Sequence, residues 1–314
     1  MKASYIHVGG KVYLVTSNQG HLTLYDTQTE PKQLSDQALS SDFLIITMTT
    51  QGLFATIGYD KKFRIWSIEG EELMLKYCCS FPKKLTHGAV LVIESKELCY
   101  IADKFGDVYM IDVSMAMASH DIEAKIIRQD FIGPSNKEDV ICKFIMGHQE
   151  VITIVDINKD FIVTVDKANK IKVSKVPRYY EIHGIYFGHK EDIILAKLFD
   201  DSTLLTIDKG RNAIVWDLTK TEDAILFTGK VGIGDIDAIG MFDDIHIGIV
   251  NEIIEIHLIN KVEKKFVKEK QIPMSKSYKC LELLADKQFV LIGASKEVLE
   301  ANKVVNLIQI FPLT

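Results

Sequence analysis

Apolar and polar positions alternate along this chain in paired runs, each pair broken by a short polar or glycine-containing step. Val12 to Thr16 and Leu22 to Tyr25 flank Asn18 to Gly20, and Leu53 to Ile57 and Phe63 to Trp66 flank Tyr59-Asp60. Leu98 to Ala102 precedes Val108 to Ile111 across Gly106, and Phe161 to Val165 precedes Ile171 to Ser174 across Lys167 to Asn169. Leu204 to Ile207 precedes Ala213 to Trp216 across Lys209 to Arg211. β-branched or aromatic runs separated by tight breaks predict β-hairpins. The second strand of each pair ends on a repeating anchor: Leu-Thr-Leu-Tyr25, Phe-Arg-Ile-Trp66, Val-Tyr-Met-Ile111, Ile-Lys-Val-Ser174, Ala-Ile-Val-Trp216, Ile-Glu-Ile-His257 and Ile-Gln-Ile-Phe311. Successive anchors lie 41, 45, 63, 42, 41 and 54 residues apart.

A period just above forty, with a strand ending in an aromatic, is the signature of a WD40 blade. Gly147-His148 and Gly188-His189 supply its second mark, again 41 residues apart. The expected fold is all-β, a seven-bladed WD40 β-propeller formed by residues 1–314 as a single domain, since each blade needs neighbours to bury its faces. The long third step places an insertion at about 114–139. It opens Ser-Met-Ala-Met-Ala, a sequence of fair helix propensity. The long last step adds Lys261 to Lys270, read as an outer strand and solvated hairpin, and extra residues around Ser295 to Lys303. Ser4 to Val8 serves the first blade or the last, not both.

The repeat explains most residues that invite a catalytic reading. His148 and His189 follow glycine in successive repeats. Their expected role is structural, linking a hydroxyl and a buried acid to a tryptophan inside the blade. Trp66 and Trp216 are the expected tryptophans. Asp60 is the acid six residues before its anchor. Ala168 and Gly210 occupy the corresponding positions of the fourth and fifth repeats, which predicts a weakened network there. Gly229 to Gly240 superficially resembles a nucleotide loop but leads into strand-like sequence, so an inter-blade loop is expected. No nucleophile elbow, metalloprotease helix motif or phosphate loop occurs. The chain is read as no enzyme, with no metal site and no cofactor of its own.

Composition narrows the partners. The formal charge of −6 argues against autonomous nucleic-acid binding but permits a local basic patch. Such a patch is present: Lys167, Lys170, Lys172, Lys175 and Arg178 face one acid, Asp166, within that stretch. A basic residue two before the anchor is also common in such repeats for structural reasons, and Arg64 holds that place in the second repeat. Five cysteines, with no Cys-x-x-Cys pair, predict buried thiols in a reducing compartment. No long apolar run predicts a signal peptide at Met1 to Gly10 or a membrane span elsewhere.

From Leu98 to Asp217 the chain resembles the non-catalytic WD-repeat subunit of the eukaryotic tRNA (guanine-N7) methyltransferase. Three passages carry the resemblance. They are Ala102 to Tyr109 (Ala-Asp-Lys-Phe-Gly-Asp-Val-Tyr), Phe161 to Ser174 with its Asp166-Lys167-Ala-Asn-Lys170-Ile-Lys172-Val-Ser174 core, and Tyr180 to Glu191 ending Gly188-His189-Lys-Glu191. Serine in place of the usual tryptophan at position 174 is part of the likeness. Ala168 stands where the family has an acid, and Asp192-Ile-Ile where it has Phe-Val-Ser. The resemblance implies a heterodimer in which a catalytic subunit binds S-adenosylmethionine and methylates a guanine of the tRNA variable loop. The WD subunit docks by its side. Lys172 falls on the basic residue that pairs with an acid of the enzyme, with Lys167 and Lys170 beside it. Lys175, Arg178 and Lys190 are candidate tRNA contacts, with tRNA otherwise met through the complex. The implied location is the nucleus, with the cytoplasm as a second site. The alternative from a different class is a WD scaffold of another complex, such as a ubiquitin-ligase or ribosome-assembly adaptor.

Overall fold

The computed structural model describes residues 2–18, 20–26, 32–39, 41, 43–50, 52–118, 123–125, 141–236, 238–241, 246–250, 253–273, 288–293 and 307–312. The chain divides into two compact bodies, Ala3–Tyr186 and Phe187–Thr314.

In the first body, β1 (Lys2–Val8), β2 (Lys11–Asn18), β3 (His21–Asp26) and β4 (Lys32–Ala38) form one sheet in chain order. Ser4 to Val8 therefore belongs to the first sheet. The second sheet contains β5 (Phe43–Thr47), β6 (Leu53–Gly58), β7 (Lys62–Glu69) and β8 (Glu72–Ser80). The third contains β9 (Leu85–Ile93), β10 (Lys96–Asp103) and β11 (Asp107–Asp112), completed after the insertion. The insertion opens as helix α1 (Val113–Ala118), capped by Asp112, whose Oδ1 accepts the Met115 N–H at 3.0 Å. Strand β12 (Glu123–Lys125) then lies parallel to β8 as a fifth strand of the second sheet. β13 (Cys142–Gly147) closes the third sheet against β11. The fourth sheet runs β14 (Ile152–Ile157), β15 (Phe161–Asp166), β16 (Ile171–Lys175) and β17 (Ile182–Tyr186), with β17 at its edge.

The second body repeats the plan with β18 (Ile193–Leu198), β19 (Thr203–Asp208), β20 (Asn212–Asp217) and β21 (Ile225–Lys230). A further sheet contains β22 (Ala238–Met241), β23 (His246–Val250), β24 (Ile253–Asn260) and β25 (Lys265–Pro273). The glycine-rich run between β21 and β22 is a loop between sheets, and the lysine-rich segment supplies the edge strand β25. β26 (Gln288–Gly293) and β27 (Leu307–Pro312) form a hairpin around the seventh anchor. Most of the insertion and the 295–303 segment lie outside the described residues.

The apolar runs follow from burial on both faces. Along β10, Cys99 and Ile101 pack with Ile65, Tyr77 and Tyr109 in the core between the second and third sheets. The intervening Tyr100 and Ala102 pack with Met146, Ile152 and Ile162 in the core toward the fourth. Successive strand side chains point to opposite faces, so a strand between two cores carries apolar residues without a polar alternate. β6 and β7 behave likewise: Ile57 and Phe63 enter one core, Phe54 and Trp66 the other. The second body has its own core of Leu205, Ile207, Val215, Phe227, Ile247 and Ile249. Cys78, Cys79, Cys99 and Cys142 are buried free thiols. Burial pushes Cys99 well above the ordinary thiol range and Cys142 up to about 12, so both stay protonated and inert. No described helix is long and apolar enough to cross a membrane.

One turn shows how tightly the loops are fixed. Gly106, between β10 and β11, has φ +86°. A Cβ there would lie 2.5 Å from the Glu150 carbonyl oxygen and 2.7 Å from that of His148. Gly106→Ala therefore combines left-handed strain with a backbone clash. It should lower stability by about 1–3 kcal/mol, read as a lower urea midpoint.

Candidate partner-binding edge

The turn from β15 to β16 is organised by one carboxylate. Asp166 Oδ1 accepts the N–H groups of Ala168 at 3.0 Å and Lys170 at 3.1 Å. Asn169 takes φ +59°, a conformation asparagine tolerates. The other oxygen, Oδ2, lies 3.0 Å from His148 Nδ1, whose Nε2 is 2.6 Å from Thr164 Oγ1. Donor counting orders the chain: Nδ1–H donates to the carboxylate, and Nε2 accepts the threonine O–H.

The fifth sheet repeats this arrangement in full. His189 Nδ1 lies 2.9 Å from Asp208 Oδ2 and its Nε2 2.7 Å from Thr206 Oγ1, which accepts Trp216 Nε1–H at 2.7 Å. The expected weakening at Ala168 and Gly210 is thus corrected. The acid sits two residues earlier, at the end of the strand, where it caps the turn and reaches the histidine together. In the second sheet the pattern differs: Trp66 Nε1 donates to Thr56 Oγ1 at 3.0 Å, while Asp60 grips the Arg64 guanidinium. Ser174 occupies the tryptophan position of the fourth sheet, and its buried hydroxyl has no hydrogen-bond partner among the described residues.

The fold separates the basic residues that adjoin one another in sequence. Lys175 and Arg178 both reach Glu181, at 3.6 and 2.7 Å, across the β16–β17 connection. Lys170 lies 3.6 Å from Asp166 Oδ2. Lys190 is exposed in the second body. Lys167 is exposed at the turn and lines a cavity with Tyr59, Lys84 and Lys104. Lys172 differs from all of these. It is half-buried, its Nζ donates to the Gly147 carbonyl at 3.3 Å, and no carboxylate pairs with it among the described residues. Burial, and then the neighbouring Lys170 charge, hold its ammonium below the usual lysine range.

An apolar margin adjoins it. Ile185 lies opposite Lys172 in the β16–β17 register and is 45% exposed, while Ile182 is 52% and Tyr180 70% exposed. These apolar positions were not singled out in the sequence. Tyr180 precedes β17, and the place of β17 at the sheet edge leaves Ile182 and Ile185 uncovered. Among the described residues no cluster of His, Cys, Asp or Glu could hold a metal ion.

No family model matches the chain. It is similar to curated proteins named tRNA (guanine-N(7)-)-methyltransferase non-catalytic subunit TRM82. Identity is 27% over 184 residues with that of Saccharomyces cerevisiae, covering 55% of this chain and 36% of the relative. It is 32% over 173 residues with that of Debaryomyces hansenii (52% and 34%), and 29% over 198 residues with that of Vanderwaltozyma polyspora (60% and 40%). The alignments thus span about a third to two fifths of these relatives. Among solved structures, one titled "Structure of U3-55K" covers 90% of this chain and 85% of its own, with a TM-score of 0.68 and 12% identity. That likeness concerns the fold alone, and with the stacked antiparallel sheets it bears out the all-β propeller class.

The buried imidazole has a consequence for stability. Burial holds His148 neutral and below the ordinary histidine value of 6.5, against the pull of Asp166 and with a smaller push from Lys172. The unfolded chain takes up a proton near pH 6.5 and the folded chain only at lower pH, so this contribution is present above that value and lost as pH falls. Stability should drop between pH 7 and 5, by at most about 1.4 kcal/mol per pH unit from this group. His148→Gln should flatten that slope in denaturant titrations at several pH values.

Proposed function

We propose that this chain is a non-catalytic subunit that binds and stabilises the catalytic subunit of a tRNA (guanine-N7) methyltransferase. The observation that carries the reading is Lys172. A cation that is half-buried, tied to one carbonyl and without a carboxylate of its own is incompletely compensated. A carboxylate from a second protein would complete it. Ile185 and Ile182 would cover that pair from water, the arrangement in which an interfacial ion pair matters most. Lys170 would add to the local field while remaining held by Asp166. Similarity to proteins named as non-catalytic subunits of this enzyme supports the identity of the partner.

In this reading the partner holds S-adenosylmethionine and performs the methyl transfer, and this chain fixes the partner's position. The complex meets tRNA mainly through that partner and works in the nucleus. Lys175 and Arg178, which share the single carboxylate of Glu181, would make the weaker tRNA contacts, and exposed Lys190 the freer one.

Affinity capture should recover a methyltransferase in a one-to-one complex. Its absence would overturn the proposal. Lys172→Glu should weaken the complex by about 2–5 kcal/mol with an unchanged circular dichroism spectrum, whereas Lys172→Arg should largely retain it. Assembly unaffected by Lys172→Glu would remove this residue from the interface.

A further inference from the structure

Four connections of the first body bring together three lysines and a tyrosine that are distant in sequence. Tyr59 comes from the β6–β7 turn, Lys84 from the β8–β9 link, Lys104 from the β10–β11 turn and Lys167 from the β15–β16 turn. With Thr86 and Thr153 they line a cavity of about 510 Å³. All three lysines are exposed, no acidic residue lines the cavity, and none of the three is paired with a carboxylate among the described residues. The Lys84 ammonium lies 5.6 Å from the Tyr59 ring centroid. Nearby, Lys83 and Lys104 lie over Phe105 at 4.1 and 5.6 Å. Tyr59 and Phe105 are themselves 57% and 53% exposed.

The backbones carrying these charges are fixed to one another. Lys104 N–H donates to the Lys84 carbonyl at 2.9 Å and Lys167 N–H to the Val151 carbonyl at 3.0 Å. The His148 N–H donates to the Gly106 carbonyl at 2.8 Å, joining the β10–β11 turn to the β13–β14 link. Like charges held at a rigid concavity repel one another, and an anion placed among them relieves that repulsion. Binding then requires ordering only the ends of the side chains.

We propose that this cavity binds a short acidic peptide segment of a partner protein, with carboxylates against Lys84, Lys104 and Lys167 and an apolar side chain against Tyr59. Lys172 does not line this cavity, and the proposal does not depend on the identity of the catalytic partner. A short carboxylate peptide is favoured over nucleic acid by the charge of the whole chain. The chain carries a net charge of −6, so an extended polyanion is repelled beyond the patch while a short segment meets only the patch.

The test is fluorescence anisotropy on the full chain with a fluorescein-labelled peptide of alternating glutamate and leucine. The glutamine–leucine counterpart and a single-stranded oligouridylate serve as comparison probes. The parent chain should bind the acidic peptide in a salt-dependent manner and the other two weakly. The variant carrying Lys84→Ala, Lys104→Ala and Lys167→Ala should bind at least about tenfold more weakly with an unchanged melting temperature. The corresponding triple arginine variant should retain binding. No peptide binding by the parent, equal binding by the folded triple alanine variant, or preferential binding of oligouridylate would each overturn the proposal.

Discussion

Burial of both faces of the inner strands is the constraint on which the described architecture depends. A strand such as β10 sends Cys99 and Ile101 into one core and Tyr100 and Ala102 into the next, and none of the four is solvated. A sheet of this kind cannot stand alone, because one face would be left in water at roughly 25 cal/mol per Å² of apolar surface. Neighbouring sheets are therefore part of each sheet's own stability. The helix that opens the insertion obeys the same rule, since its buried Val113 and Ala116 join the core between the second and third sheets.

Stacking leaves the connections to carry the surface chemistry, and buried carboxylates hold those connections in place. Asp103, Asp166 and Asp208 each end a strand and accept backbone N–H groups of the following turn. In the fourth and fifth sheets the same carboxylate also holds a histidine, which ties the preceding loop to the hairpin. For Asp208, burial alone would raise the carboxyl, but hydrogen bonds from His189 and Asn212 outweigh it and hold it below the ordinary range. Among the described residues no histidine reaches Asp103 and one of its buried oxygens accepts no hydrogen bond, so burial prevails and raises it. The same turn architecture thus yields opposite shifts, decided by whether a donor reaches the second oxygen.

Charge on this molecule is informative where it is left uncompensated. Lys175 and Arg178 share Glu181, Lys170 has Asp166 and Lys209 has Asp192. Apart from Lys170, whose partner Asp166 is buried, these pairs are largely exposed and contribute little to stability. Lys172 on β16 of the fourth sheet and the lysines around the loop cavity are places where, among the described residues, the chain supplies cations without supplying anions. The first is a half-buried point with apolar flanks, suited to a folded partner's single carboxylate. The second is an exposed ring around a concavity, suited to a flexible acidic segment.

The sequence by itself determined the strands, the hairpin pairs, the repeat and the inward place of His148 and His189. Those features depend on side-chain alternation, turn chemistry and spacing, which are local. It also marked Lys172, through the neighbouring residues of its own motif. The acid partner of each histidine was misplaced by two residues because a fixed offset from the anchor ignores where the strand ends and the cap forms. The five basic residues are under-compensated within Asp166 to Arg178 because Glu181 lies just past that stretch and returns at the start of the far arm of the hairpin. Tertiary structure alone decided which charges are neutralised, which isoleucines of β17 lie bare, and that Tyr59, Lys84, Lys104 and Lys167 share one cavity. Those outcomes depend on which sheets stack side by side, and stacking brings together loops separated by more than a hundred residues (from Tyr59 to Lys167).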